Sequence, residues 1–205
     1  MTKRLCSIGK NALVDKQVFL AYPTGREIGE RRLVIGDNAQ IRCGTTIYEG
    51  TTIGHYLTTG HNVVIREENL IGEHFTIWSN SVVDYGCKIG DRVKIHCNCY
   101  IAQFTTIEDE VFIAPGVSIA NDIHPGCEHS TECMRGPTIK RGAQIGVNAT
   151  LLPFITIGER ALVGSGAVVT KDIPSCSVVT GNPAKVICAI DELKCSRGLT
   201  DHPYR

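Results

Sequence analysis

The chain has 205 residues, 42% of them apolar, and balances 21 Lys and Arg against 21 Asp and Glu. That length suits one domain with a small appendage, and the apolar share is enough for a substantial core. With no charge excess, nucleic acid and membrane surfaces are poor candidates as partners, while a local basic pocket stays open.

The opening MTKRLCSIGK has basic residues but no apolar run behind them. A secretory leader is therefore not expected, and no later stretch has the length of a membrane span. The ten cysteines form no Cys-x-x-Cys pair and follow no secreted-domain spacing. They read as free thiols of a cytoplasmic protein. Residues 1–32 carry no repeat and are expected to cap one end of a repetitive domain that starts near residue 33.

From Ile35 a six-residue period begins. Of the fifteen positions from Ile35 to Ile119, fourteen are Ile or Val, and Thr59 is the exception. Two residues before each anchor stands a small or β-branched residue, as at Ala39, Thr45, Cys87, Cys99 and Val117. Period two along a strand turns both to the same side, so each hexad reads as a short strand with two inward side chains. A helix is a poor competitor, because a six-residue step throws successive anchors to opposite sides of a 3.6-residue helix.

Three hexads make a triangular coil, so every third turn falls on one edge. The first edge reads Gly54, Gly72, Gly90, Glu108, where glycine suggests a tight turn at positive φ. The second reads Arg42, Gly60, Trp78, His96, Ala114, and the third Tyr48, Arg66, Asp84, Ala102, Ala120. The last two carry residues that a turn does not need.

The period breaks after Ile119 and restarts at Ile139, running on through Ile145, Leu151, Ile157, Val163 and Val169. Residues 120–138 therefore read as a loop extruded from the third edge, and such loops are often functional. It contains His124, Cys127, His129 and Cys133. Beyond Pro174 the chain reads as a second unit over 183–205, with Asn182 as N-cap and Pro183 in the first turn of an α-helix to about 197. That helix is expected to cover the last coil of the 1–182 domain.

The hexads, the Asn-Asp-x-His-Pro of the loop and the ending Val-Thr-Lys-Asp-Ile-Pro…Gly-Asn-Pro-Ala-Lys resemble the hexapeptide-repeat acyltransferases, and within them the nucleotide-sugar N-acyltransferases. The resemblance covers about residues 33–188. It implies an all-β, left-handed parallel β-helix, a homotrimer with sites between subunits, and an acyl-coenzyme A donor such as acetyl-CoA. It also implies an amino group on a nucleotide-linked sugar as acceptor. It places a base at His124, acceptor contacts at His96 and Asn121, and donor contacts at Val147, Ser165, Thr170, Lys171 and Lys185, while one family arginine falls on Cys188.

The residues themselves add Gly146 and Gly164, small enough for a ligand to approach the main chain. Lys171 and Lys185 suit phosphates, and an imidazole suits proton removal near neutral pH. Trp78 is either a stacking surface for the acceptor or a subunit contact, and Arg66 and Asp84 are either acceptor ligands or solvated charges. The base is left among His124, His96 and no side chain at all. No metal is expected, since the loop's His and Cys lack a standard zinc spacing. Transfer to a hydroxyl of a sugar or serine, and a non-catalytic trimeric scaffold, are the competing readings.

Overall fold

A computed structural model describes residues 5–201 together with 203 and 204. Short parallel strands stack into sheets of eight, ten and eight strands that form the three faces of a left-handed β-helix. The eighteen-residue register is direct: Ile71 pairs with Ile89 on the first face, Ile77 with Ile95 on the second and Val83 with Ile101 on the third.

The inward anchors make the core. Ile47, Ile65, Ile77, Ile95 and Ile101 have no exposed surface, and Cys87 and Cys99 sit among them as small apolar fillers. Thr59, the exception to the period, is buried because its Oγ1 accepts the Arg42 backbone N–H at 2.9 Å. A buried hydroxyl is tolerated once it has that partner.

The glycines of the first edge serve a different purpose from the one expected. Gly54, Gly72 and Gly90 are not in the left-handed region, which falls instead on Tyr56, His74 and Arg92. What they need is room: a Cβ on Gly54 would stand 2.8 Å from the carbonyl carbon of Gly72. Adjacent rungs approach too closely at these three positions for a side chain, whereas Glu108 and Lys140 higher on the edge carry theirs and pair at 2.7 Å.

Both ends differ from expectation. The first residues are more than a cap, because Cys6–Ile8, Leu13–Val14 and Phe19–Tyr22 pair in parallel with the next coil. Ile8, Val14 and Leu20 keep the six-residue step. At the other end the described residues form no α-helix. Ser177–Thr180 adds to the second face, and Lys185–Ala189 folds back antiparallel on it before a 3-10 turn at Ile190–Glu192. Val179 continues the inward stack above Val163, and the pairing of Val178 and Val179 with Cys188 and Val186 covers that sheet edge, which the helix was expected to do.

Two segments leave the stack, both from the third edge. Ile8 pairs with Ile35 and Ile107 with Ile139, offsets of 27 and 32 residues against the usual 18. Nine and fourteen extra residues are thus extruded, in 23–32 and in 120–138.

Candidate functional site

The expected site residues fall into two groups on two different edges. Trp78, His96, Gly146 and Gly164 each follow a second-face strand, so they stack in one column in that order. Val147 and Ser165 stand beside this column and are exposed. Lys185 pairs with Thr180 at its top. Arg66, Asp84, Asn121, His124, Thr170 and Lys171 belong to the third edge and its loop.

On the second edge Trp78 is 37% exposed, and the His96 ring lies 5.1 Å from that of Phe112. Above them the column narrows to Ala114, Gly146 and Gly164. A Cβ on Gly146 would stand 2.6 Å from Ser165 N, and one on Gly164 would stand 2.6 Å from Thr180 Cγ2. Close stacking thus requires both glycines whatever else approaches them. Two successive rungs of this column, Gly146 and Gly164, therefore carry no side chain, with exposed Val147 and Ser165 beside them.

The third edge is built around buried charge. The Arg66 fork donates to both oxygens of Glu67 at 3.0 and 2.9 Å, and its third nitrogen reaches Asp84 at 3.3 Å. Asp84 also accepts the Tyr85 N–H at 2.8 Å and the Tyr100 hydroxyl at 2.7 Å, so its carboxylate is buried and engaged. Burial, and then the bond to Asp84, push the Tyr100 phenol upward.

Segment 23–32 is strapped over this edge. Arg31 reaches Glu49 at 2.7 Å, and Arg26 reaches Glu67 at 3.1 Å with its guanidinium 3.7 Å from the Tyr85 ring centre. Glu49 and Glu67 have side-chain exposures of 1% and 0%, and buried carboxylates persist only when paired in this way. Burial raises the pKa of Glu67, but the Arg66 fork, its own backbone N–H and Arg26 together carry it below the ordinary 4.5.

The 120–138 loop has its own brace. The Asp122 carboxylate accepts the His124 backbone N–H at 2.8 Å and the Ser130 hydroxyl. Ser130, and then that N–H, hold it below the usual carboxylate range. Arg135 N–H closes the neck on Asn121 O at 2.8 Å, and Asn121 Nδ2 donates to Gln103 at 2.7 Å. His124 itself is exposed, with its ring presented to solvent. Among the described residues, no three His, Cys, Asp or Glu side chains are grouped to hold a metal ion. All ten cysteines are free.

The sequence reading missed the strap, Asp122, Ser130 and the Glu49 and Glu67 anchors. The strap had a signal in the nine residues that separate the Ile8 and Ile35 phases. The brace had one in the Asp122-x-His124 spacing, at which a carboxylate caps its own chain two residues on.

A family model described as bacterial transferase hexapeptide (six repeats) matches residues 32–67, 70–103, 86–121 and 136–171. The galactoside O-acetyltransferase of Escherichia coli is 31% identical over 159 residues, which cover 70% of this chain and 78% of that enzyme. A serine acetyltransferase of Arabidopsis thaliana is 42% identical over 86 residues, which cover 42% of this chain and only 27% of the plant protein. The solved UDP-N-acetylglucosamine acyltransferase of Bacteroides fragilis superposes with a TM-score of 0.71 at 19% identity, over 91% of this chain and 74% of its own. That likeness is one of fold. Among the described residues no helix is long and apolar enough to cross a membrane.

Proposed function

The chain belongs to the bacterial hexapeptide-repeat transferases, and from that membership we propose that it moves an acetyl group from acetyl-CoA to a hydroxyl of a small acceptor. The observation that carries this reading is the division of the candidate residues between two edges. An exposed histidine on a braced loop leaves one edge, and a column of glycines topped by Lys185, which this reading takes as the donor's channel, runs up another. Residues on different edges of one prism meet when a second copy brings its channel edge against the loop edge. The working unit in this reading is a homotrimer with a site at each junction.

In that site the His124 imidazole takes the proton of the acceptor hydroxyl as its oxygen attacks the thioester carbonyl. The C–S bond then breaks, and the coenzyme A thiolate leaves with the proton that the imidazole carried. Backbone N–H groups along the channel are the available donors for the developing oxyanion. Lys185 on the channel edge, and Lys171 on the loop edge, suit the donor's phosphates. His96 and Trp78, lower on the channel edge, line the acceptor side.

The relatives that name an acceptor support a hydroxyl, on a galactoside and on serine. They give the amine of a nucleotide-linked sugar no comparable support. The test is coenzyme A release from acetyl-CoA with methyl galactoside, serine and UDP-linked amino sugars offered in parallel. Turnover of a hydroxyl acceptor with amines inert is expected. Turnover of amines alone returns the acceptor to an amino sugar, and a chain that neither binds nor consumes acetyl-CoA is not a transferase of this kind.

A further inference from the structure

The residue after each second-edge corner forms a column of its own: Cys43, His61, Ser79 and Cys97, one per rung. Within it Cys43 Sγ lies 3.1 Å from His61 Nδ1. Both residues are fixed at the main chain. The Cys43 N–H donates to Asp15 Oδ2 at 3.2 Å, and the His61 N–H donates to Ser79 Oγ at 3.0 Å. In the single chain His61 is exposed and Cys43 is half-buried.

Nothing in the proposed transfer uses these two residues, which lie well below the glycine channel. A thiol within hydrogen-bond reach of an imidazole, with both held in place, is the arrangement of an activated nucleophile: the base accepts the proton and the thiolate attacks. The charged groups beside the pair are Asp15 and Arg42, which face each other at 3.6 Å.

Five of the other cysteines differ in kind. Cys87 and Cys99 donate to the carbonyls of Ala102 and Ala114 at 3.2 Å each, are buried, and have their thiols pushed up by that burial. Burial raises Cys6 as well. Backbone N–H groups from Leu199 and Arg197 lower Cys195, but they stabilise a thiolate without supplying a base and soften its attack. Cys127 is exposed, and among the described residues no imidazole pairs with its sulfur.

We infer that Cys43 and His61 form a modification site at which Cys43 undergoes thiol–disulfide exchange with small-molecule disulfides. The Cys43 thiolate attacks one sulfur of the disulfide and a new S–S bond forms. The old one breaks, and the departing thiolate takes up the proton held on His61. Cys43 is oxidised to a mixed disulfide and one half of the reagent is reduced to thiol. An adduct there stands two rungs, about 10 Å, below Trp78 on the same edge.

The test uses the full chain and limiting dithiobis(nitrobenzoic acid), with peptide mapping of the labelled sites against time. Cys43 is expected to react about tenfold or more faster than Cys127 and Cys195, and His61→Gln to slow Cys43 by about tenfold while leaving those two unchanged. Silence of buried Cys87 and Cys99 reports that each variant is folded. If His61→Gln exposes them, His61→Asn replaces it, and if that unfolds too, the wild-type rate order decides. Labelling of Cys127 or Cys195 ahead of Cys43, or a folded His61 variant with an unchanged Cys43 rate, overturns the inference.

Discussion

The Asp122 carboxylate accepts the backbone N–H of His124 at 2.8 Å, so the main chain at this exposed histidine of the third-edge loop is fixed by its second neighbour. The same carboxylate takes the Ser130 hydroxyl from the far side of the loop. A single anion therefore closes the tip on itself. Such a brace fixes the main chain at His124 while leaving its ring exposed, which suits the proton acceptor proposed above.

Replacing His124 by Ala is expected to lower kcat by about 10²–10⁴-fold, the usual worth of a general base. The affinity for coenzyme A, measured by calorimetry, should be unchanged, because the proposed donor contacts do not include His124. An unchanged kcat would move the proton to His96 or to solvent.

Asp122→Ala tests the brace separately. A loop free to shift by an ångström is expected to lose up to about 10²-fold in kcat. The thermal midpoint should hold, since Asp122 anchors nothing in the core. A variant that melts early at full specific activity would make the brace purely structural.

Acid should loosen the strap. The folded pKa of Glu67 lies below its ordinary 4.5, so its contribution to stability is fully present above that pH. It is lost as pH falls through the depressed folded value, where the carboxylate takes a proton and releases Arg66 and Arg26. Urea midpoints measured from pH 6 downward are expected to fall below about pH 4.5 in the wild type. Glu67→Gln should be less stable at pH 6 and show a flatter profile.

Two further variants test the stack. Ile101→Ala, at a fully buried anchor, is expected to cost about 2–5 kcal/mol by denaturant titration. Gly72→Ala puts a Cβ 2.8 Å from the Gly90 carbonyl carbon and should cost about 1–3 kcal/mol. Gly25→Ala, with nothing within 4 Å, is the neutral control.

The six-residue period made the prism legible because each anchor has one job and one direction. Ile71, Ile77 and Val83 need only be large and inward, and their spacing alone says so. The terminal arm was less legible, since Asn182-Pro183 fits a helix start as well as a turn between antiparallel strands. What decides between them is that Val178 and Val179 have a free second-face edge to join, which local sequence does not display. The third-edge charges were misweighed for a similar reason. Arg66, Glu67 and Asp84 are adjacent or one coil apart, yet Glu67 is also paired by Arg26, which arrives from a segment outside the period. The column that joins Trp78 to Gly164 was visible in outline, because the eighteen-residue step carries across the loop once the offset is known.

The composite site is tested most directly by co-expressing two inactive chains, His124→Ala on the loop edge and Ser165→Trp on the channel edge. If each site takes its histidine from one subunit and its channel from the next, randomly mixed trimers should recover about a quarter of wild-type activity. Mixtures as inactive as either parent would contradict it, because both halves of every site would then come from the same chain.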